Sequence, residues 1–399
     1  MELRVERDAL ADAVTWTARS LPARPPMQVL LGLLLDASGP DGLEVSGFDY
    51  EVSSRVGLDA TSGLLGVGEP GRVLVPGRLL ADIVRALPPA PVDLRLEGSR
   101  VVLTCGAARF TLPTLPVEDY PALPALPETA GSIDSDAFAA AVAQVAVAAG
   151  RDDTLPVLTG VRVEIEDDTL TLAATDRYRL AVRTLAWSPA VPGLSTTALV
   201  PARTLADTAK ALTGGPDVTL ALTVSQTGTG GATEGMIGFE GGDPKSGARR
   251  TTSRLLEGEF PKYRSLLPSE SAATAAVATP AFAEAVRRVA LVAARNAPVR
   301  LTFTSDGVVL EAGGADDASA SEQLDCEWDS TLEADGPFSI AFNPGYLLDG
   351  LTAVDSDTTV LSFTGPTRPA VLTGRDAGGD ADTAPRDYRY LLMPVRLSG

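Results

Sequence analysis

Residues 75–87 read Val-Pro-Gly-Arg-Leu-Leu-Ala-Asp-Ile-Val-Arg-Ala-Leu, and residues 200–212 read Val-Pro-Ala-Arg-Thr-Leu-Ala-Asp-Thr-Ala-Lys-Ala-Leu. Eight of the thirteen positions are identical, and a shorter third version, Asn-Pro-Gly-Tyr-Leu-Leu-Asp, stands at residues 343–349. Three copies in this chain have about 133 residues each, an ordinary size for one domain. Repetition of whole domains favours a scaffold, whose function depends on shape and surfaces more than on a catalytic centre.

Other segments repeat in the same order. Ala-rich helical runs share apolar pairs at i, i+4 spacing, namely Leu10 and Val14, Phe138 and Val142, Phe282 and Val286. Alternating segments with a turn follow them and predict hairpins at 32–45, 160–172 and 299–310. The predicted helices are 7–24, 78–87, 136–151, 203–212, 281–295 and 344–354. This pattern predicts an α+β fold of three tandem domains, 1–128, 129–270 and 271–399, each with two helices packed on antiparallel sheets.

Composition limits the cellular setting. Hydrophobic residues make up 45% of the chain, yet no apolar run is long enough to cross a membrane. Charged residues stand near the N-terminus where a signal peptide needs an apolar core, so we expect a cytoplasmic location. Cys105 and Cys326 stand in different copies without a CxxC motif and are predicted to be unpaired.

The chain has no histidine, which excludes histidine-based triads and histidine-ligated metals. Residues 66–71 match GxGxxG, but a predicted strand follows them where a dinucleotide site needs a helix. Acidic pairs at 152–153, 167–168 and 316–317 are predicted to be solvated turns, since no further ligands stand at fixed spacing. We therefore predict no catalytic residue, no metal site and no cofactor.

Charge is distributed unevenly along the chain. The formal net charge is −19, but the six predicted helices hold 11 basic and 7 acidic residues. If all helices share one face, that face can meet a polyanion while the remaining surface repels it. The alternative is that basic residues simply favour helix surfaces.

Three motifs carry a family resemblance: Thr-Asp-Arg-Tyr-Arg-Leu-Ala-Val at 175–182, Phe-Pro-Lys-Tyr-Arg at 260–264 and Tyr-Leu-Leu-Met-Pro-Val-Arg-Leu at 390–397. Together with the threefold repeat, the whole chain resembles the bacterial DNA polymerase III beta subunit, the sliding clamp, of actinobacterial type. The resemblance implies a non-enzymatic processivity factor: a head-to-tail homodimeric ring, with helices lining the hole, that encircles double-stranded DNA without sequence preference.

The resemblance also implies sites. Residues expected to face DNA are Arg24, Arg78, Arg151 and Arg203, although each could be an ordinary solvated arginine. A groove between the second and third domains would accept peptides of the type Gln-Leu-x-Leu-Phe from the DNA polymerase III alpha subunit, the clamp loader, other polymerases and repair proteins. Its expected residues are Leu158, Thr175, Arg177, Tyr178, Arg179, Leu180, Pro261, Leu266, Pro369, Met393, Pro394, Val395, Arg396 and Leu397. For Thr175 and Leu180, packing of a domain junction is the alternative.

For the dimer interface, Arg109, Phe110 and Leu112 are expected to meet Leu291 and Val292 of a second copy, although plain core packing also fits their alternation. Asp316, Asp317 and Glu322 are candidate partners for basic residues of that edge. Two stretches, 225–250 and 374–386, are predicted to be surface loops.

Two other functions stay open at this point. One is a repeat-built carboxylate enzyme, which the lack of repeat-shared acidic pairs disfavours. The other is a clamp paralogue that provides self-resistance to an inhibitor or serves specialised repair. Such a paralogue would share fold, ring and groove, and Arg177, where the family commonly has a small residue, leaves it open.

Overall fold

A computed structural model of the chain describes residues 1–40, 42–226, 233–294, 297–314, 318–332, 336–375 and 387–396. The first repeat contains β1 (Glu2–Val5), α1 (Arg7–Thr17), β2 (Gly32–Asp36), β3 (Leu43–Phe48), β4 (Val52–Leu58), β5 (Leu64–Glu69), β6 (Arg72–Pro76), α2 (Gly77–Ala86), β7 (Val92–Glu97), β8 (Arg100–Cys105) and β9 (Ala108–Pro113).

The second repeat contains β10 (Thr129–Asp134), α3 (Ser135–Ala146), β11 (Gly160–Glu166), β12 (Thr169–Thr175), β13 (Arg179–Ala186), β14 (Ser188–Pro189), β15 (Ser195–Pro201), α4 (Ala202–Ala211), β16 (Asp217–Gln226), β17 (Thr233–Gly241) and β18 (Ala248–Arg254). The third contains β19 (Ala273–Ala278), α5 (Thr279–Val289), β20 (Val299–Thr304), β21 (Gly307–Gly313), β22 (Ser319–Leu324), β23 (Glu327–Ser330), β24 (Phe338–Phe342), α6 (Pro344–Ala353), β25 (Thr358–Phe363), β26 (Ala370–Arg375) and β27 (Tyr388–Leu392). Within the described residues all three repeats share one order of elements, which confirms the threefold repeat and the α+β class.

All six predicted helices are present, but three end earlier than predicted. After α1 a short 3-10 turn, Ala18–Ser20, leads into an extended Leu21. The next residue is Pro22, which disfavours a helical conformation at the residue before it. Likewise α3 ends at Ala146 and α5 at Val289, short of the predicted 151 and 295.

The predicted loop at 225–250 is wrong in part, because β17 and the start of β18 lie inside it. Gly and Thr residues suggested a loop there, but pairing of β17 with β16 and β18 overrides their weak local preference. Residues 227–232 and 376–386 lie outside the described residues, and with them most of the second predicted loop.

The chain forms two compact units. The first comprises Met1–Ala140, Glu166–Asp168 and Ala186–Gly258. It holds a five-stranded sheet in the order β5-β1-β7-β8-β9 and a nine-stranded sheet in the order β14-β10-β16-β17-β18-β4-β3-β2-β6. Helices α1 and α2 place Leu10, Val14, Leu80 and Val84 in one buried cluster with residues of both sheets. Each such fully buried side chain contributes about 1.5–3 kcal/mol of burial free energy.

The second unit comprises Ala141–Ile165, Thr169–Leu185 and Glu259–Gly399. Its strands run in the order β11-β12-β13-β27-β26-β25-β19-β23, and a second sheet has the order β22-β21-β20-β24. Aromatic rings pack closely between these sheets: Phe338 lies 4.9 Å from Phe363 and Phe303 lies 5.0 Å from Trp328, measured between ring centroids. This unit carries the groove described below.

Strand pairing between repeats follows one rule. The last strand of the second repeat, β18, pairs antiparallel with β4 of the first. The last strand of the third repeat, β27, pairs in the same way with β13 of the second. Since β4 and β13 are equivalent strands, both junctions have the same construction. The remaining equivalents, β9 and β22, lie at the edges of their sheets in the described part of the chain.

Among the described helices, none has the length and apolar character that a membrane-spanning helix requires.

Candidate functional site

A groove of about 510 Å³ lies in the second unit, where the segment after α3, the turn between β12 and β13, and the start of α6 meet. Its lining residues are Ala149, Gly150, Arg151, Asp152, Leu155, Leu158, Asp176, Arg177, Tyr178, Arg179, Asn343, Gly345, Tyr346 and Asp349. Apolar, aromatic and charged groups therefore share one concave surface, as is typical of sites that bind short peptides.

Side-chain hydrogen bonds fix the turn that forms one wall. The Thr175 hydroxyl donates to the Arg179 carbonyl at 2.7 Å and accepts from the Arg177 amide at 3.3 Å. The Asp176 Oδ1 accepts from the amides of Tyr178 and Arg179, at 3.0 and 3.1 Å. These bonds hold Arg177 at a φ of 78°, a left-handed conformation that costs a non-glycine residue about 1–2 kcal/mol.

Arg179 is the buried centre of the groove, with a side chain only 5% exposed. Its Nε donates to Asp176 at 3.0 Å, and its guanidinium also binds Asp349. The guanidinium carbon lies 4.5 Å from the centre of the Tyr346 ring, a cation–π geometry. Burial alone would lower the pKa of Arg179, but Tyr390, Asp349 and Asp176 outweigh it and the pKa is raised. The group therefore stays charged.

The Arg179 side chain also makes contacts within its own chain. Nε binds Asp176, and Nη1 binds Asp349 and the Tyr390 hydroxyl, because burial of a guanidinium requires such partners. Arg179 also positions Tyr346 through the cation–π contact, and the Tyr346 carbonyl accepts a hydrogen bond of 2.8 Å from the Tyr390 hydroxyl.

Two tyrosines form the aromatic surface of the groove. The rings of Tyr178 and Tyr346 stack with centroids 6.0 Å apart and an interplanar angle of 22°. Tyr178 is 54% exposed, and burial raises the pKa of Tyr346. Asn343 caps α6 by accepting from the Tyr346 amide at 3.1 Å. The aromatic pair is thus anchored from two separate elements and is open to a ligand.

The C-terminal segment runs beside this turn. The Met393 amide donates to the Tyr178 carbonyl at 2.9 Å, and the Val395 amide to the Ala341 carbonyl at 2.8 Å. Met393 and Val395 are 41% and 37% exposed, so both offer apolar surface next to the groove. Pro394 is half-buried and Arg396 is exposed, and Leu397 lies outside the described residues.

Only some of the expected groove residues line this cavity. Leu158, Arg177, Tyr178 and Arg179 line the cavity, whereas Pro261, Leu266, Pro369 and Met393–Arg396 are not among its lining residues. Leu266 is 52% exposed and follows a turn that Glu164 anchors.

Leu180 and Thr175 are not among the residues that line this cavity, and they are only 1% and 5% exposed, so their assignment to the groove stays a prediction. Leu180 is buried on strand β13, and Thr175, at the end of strand β12, bonds within the turn, as the packing alternative predicts.

Tyr346, Asn343, Asp349 and Leu155 also line the groove, and sequence reasoning did not assign them to it. A signal for Tyr346 was available. It stands at the repeat position of Arg78 and Arg203, so the third copy replaces a cation with an aromatic residue there.

The predicted DNA-facing arginines separate into two places. A cavity of about 490 Å³ in the first unit has Arg78 and Arg203 among its lining residues. It is also lined by Arg19, which was not among the residues expected to face DNA. Arg203 is 97% exposed, with Asp207 at 4.0 Å, and Arg78 donates to the Pro22 carbonyl at 3.3 Å. Arg24 is exposed in the segment after α1.

Arg151, in contrast, lines the groove of the second unit. The structure therefore does not gather all four of these arginines at one cavity.

Among the expected interface residues, Arg109 and Phe110 are exposed on the edge strand β9, and Leu291 is 84% exposed just after α5. Val292 is half-buried. Leu112 needs correction: it is 1% exposed and belongs to the core of the first unit. Its alternation along β9 therefore reflects core packing.

Among the acidic residues proposed for that edge, the structure describes Glu322, and its pairing with a second copy stays a prediction. Glu322 already binds Arg288 of its own chain at 2.6 Å and 3.0 Å. Asp316 and Asp317 lie outside the described residues.

The described acidic pairs act as turn residues. Asp152 Oδ1 accepts from the Thr154 amide and hydroxyl, and Asp167 Oδ1 accepts from the Gly193 amide at 3.0 Å. No group of three or more metal-ligating side chains occurs among the residues that the structure covers. Cys105 is buried, Cys326 is half-buried, and both are free thiols.

Comparison with known proteins bears on this arrangement. Three family profiles match in order: the DNA polymerase III beta subunit N-terminal domain over residues 1–124, its central domain over 132–262 and its C-terminal domain over 264–396. The chain is 58% identical to a beta sliding clamp of Streptomyces coelicolor over 100% of both chains. It is 45% identical to "Beta sliding clamp homolog GriR" of Streptomyces muensis, again over the full length of both.

Solved structures of bacterial sliding clamps have the same fold as this chain. The DNA polymerase sliding clamp of Bacillus subtilis aligns with a TM-score of 0.84 and 25% identity, covering 100% of this chain and 99% of that one. A sliding clamp of Pseudomonas aeruginosa bound to griselimycin aligns with a TM-score of 0.83 and 26% identity over 100% of both chains. The chain belongs to the DNA polymerase III beta subunit family, the bacterial sliding clamps.

Proposed function

We propose that this sliding clamp works as a closed ring of two chains, joined head to tail, that encircles duplex DNA and tethers replication and repair proteins through the groove at Tyr178 and Tyr346. Tethering keeps a polymerase at high effective concentration beside its template without any chemical step. The chain itself would then be no enzyme, and would act in the cytoplasm.

The strand pairing between repeats carries the proposal. Two junctions within the chain join a last strand to the equivalent strand of the preceding repeat, β18 to β4 and β27 to β13. By the same rule β9 of one chain would pair with β22 of another. Because each chain offers one such edge at each end of the repeat series, two chains can satisfy both edges by closing head to tail.

Register extends this argument to side chains. Within the chain, Arg249 of β18 stands opposite Val56 of β4. Arg249 stands 11 residues before the pair Phe260-Pro261, and Arg109 stands 11 residues before the similar pair Tyr120-Pro121. Val56 pairs with Val45 at the end of the first predicted hairpin, and Glu322 pairs with Leu310 at the end of the third. The equivalent positions are therefore Arg109 and Glu322. Charge reversal at Arg109 should therefore weaken the dimer, although an exposed pair contributes only about 0.2–1 kcal/mol.

Contact with DNA would come from arginines on or beside the helices, with Arg24, Arg78, Arg151 and Arg203 as the proposed residues. Phosphate contacts of exposed arginines carry no base information and weaken with salt, as a protein that slides requires. We add Arg19 to this set because it lines the same cavity as Arg78 and Arg203.

The groove would bind linear peptides of the type Gln-Leu-x-Leu-Phe from the DNA polymerase III alpha subunit, the clamp loader and other partners. Burying about 200 Å² of ligand leucine and phenylalanine surface gives about 5 kcal/mol before the cost of ordering the peptide. Exchangeable binding in the micromolar range is expected, so partners can take turns. The exposed Met393 adds an adaptable apolar surface.

Within this proposal the three domains span 1–128, 129–270 and 271–399. The greater identity to the Streptomyces coelicolor clamp than to the GriR homologue favours a general clamp over a specialised paralogue.

A topological test addresses the proposal. Chains are loaded onto nicked circular DNA with a clamp loader, and retention is measured by gel filtration before and after a single cut that makes the DNA linear. We expect retention on the circle and release from the linear form, because a ring leaves only over an end. Equal retention on both forms would mean that the chain binds the DNA surface and does not encircle it.

A further inference from the structure

The hydrogen bonds that form the groove do not explain why residue 177 is an arginine. Arg177 is an exposed residue at a φ of 78°, where glycine would avoid strain. The hydrogen bonds of Thr175 and Asp176 fix the turn through backbone amides and one carbonyl, so they do not require the arginine side chain at 177. An arginine in a strained position therefore points to a use for its side chain.

The charges of the groove are not equally available. Asp176 and Asp349 both bind Arg179, and the Asp152 carboxylate accepts two hydrogen bonds from Thr154. No carboxylate among the described residues forms an ion pair with Arg177 or with Arg151. Two exposed guanidinium groups thus line the groove without an acidic partner at pairing distance.

The pKa of Asp152 reflects the charge of Arg177. Hydrogen bonds from the Thr154 hydroxyl and amide lower the pKa of Asp152, and the charge of Arg177 lowers it further. Arg177 therefore acts on the charge of another residue of the groove lining, although the two side chains form no ion pair.

We propose that Arg177 selects acidic partner peptides: the groove prefers a linear segment that carries a carboxylate beside its apolar anchors, and Arg177, assisted by Arg151, binds that carboxylate. The apolar and aromatic surfaces would supply most of the affinity, and the two arginines would discriminate among partners. This inference rests on the peptide-binding role proposed above.

The test compares a labelled acidic peptide, Glu-Gln-Leu-Asp-Leu-Phe-Glu, with its neutral isostere, Gln-Gln-Leu-Asn-Leu-Phe-Gln, by fluorescence anisotropy with the full-length protein. We expect the acidic peptide to bind the unmodified protein about fivefold more tightly at low salt, consistent with exposed charge pairs. This ratio should fall toward one at about 0.5 M salt, where charges are screened within a few ångström.

Variants assign the preference to one side chain. Arg177→Gln should lower the ratio about threefold while the neutral peptide keeps its affinity, and Arg177→Lys should retain most of the ratio. Arg177→Gly removes the side chain and relieves the φ strain together, so it should match Arg177→Gln in binding even if the glutamine variant is less stable. Arg300→Gln, an exposed change on β20, is the matched control for overall charge.

The outcomes separate the two proposals. If both peptides bind the unmodified protein equally, or if Arg177→Gln leaves the ratio unchanged, acidic selection by Arg177 is wrong and the peptide-binding role stands. If neither peptide binds, both are wrong.

Discussion

Replacement of Arg179 by alanine is the perturbation that the groove geometry predicts most sharply. The substitution removes the ion pairs to Asp176 and Asp349 and the cation–π contact with Tyr346. Tyr178 would lose its stacking partner in turn, because the Tyr346 ring would no longer be held in place. The expected result is a looser groove and weaker peptide binding.

The magnitude follows from the burial of each partner. Removing one member of a buried ion pair costs roughly 3–5 kcal/mol. Here Asp349 is 42% exposed and can be rehydrated, and Asp176 keeps two backbone amide donors. We therefore expect a loss of about 2–3 kcal/mol, which corresponds to roughly 30- to 150-fold faster local opening.

Hydrogen exchange is the appropriate assay, because a chain of three domains does not unfold in one step. Amides of Tyr178, Arg179 and Met393 should exchange faster by that factor, while amides of β1 to β9 should not change. Arg179→Lys, which keeps the charge but loses the planar fork, should give an intermediate effect. Arg300→Ala is the control. Unchanged exchange at Tyr178 together with unchanged peptide affinity would refute the role given to Arg179.

Three further predictions concern other charged groups. Hydrogen bonds from Thr61 and Ser62 lower the pKa of Asp59 to about 2, so the stability that this carboxylate adds is present above about pH 4 and is lost as the pH falls toward 2. In melting curves measured against pH, Asp59→Ala should slightly reduce this loss of stability in acid, and an unaltered pH profile would contradict the prediction. Burial raises the pKa of Glu164, but hydrogen bonds from two arginines and a tyrosine outweigh this effect and lower the pKa. Glu164→Gln should therefore lower the free energy of unfolding by about 1–2 kcal/mol and increase proteolysis at residues 263–266, and unchanged resistance to proteolysis there would count against the prediction. The Arg249 side chain is 13% exposed, forms an ion pair with Asp12 of α1 and donates a hydrogen bond to the Ala211 carbonyl at the end of α4. Arg249→Met should therefore lower the free energy of unfolding by about 2 kcal/mol and speed amide exchange in both helices, whereas faster exchange confined to β18 would contradict the prediction.

Local patterns predicted the repeat well. Six helices and three hairpins were recognised because a 3.6-residue period, a two-residue period and glycine turns are local properties of the sequence. Helix ends were less predictable. The apolar and basic residues after Thr17 resemble helix, and only Pro22 signals the early stop.

Side-chain environments were harder to predict, since they depend on contacts distant in sequence. Leu112 was expected at the dimer interface, but its side chain belongs to the core of the first unit. Tyr346 joins the groove because β27 and α6 are brought against the turn at Tyr178, a contact across more than one repeat. The ion pair between Arg179 and Asp349 was not predicted, because the two residues are 170 positions apart in the sequence.

Imaging of single particles in solution tests the central claim most directly. The account predicts closed rings that contain two 41.2 kDa chains, with six similar lobes around an open hole. Open arcs, single chains or compact particles without a hole under all conditions would contradict it.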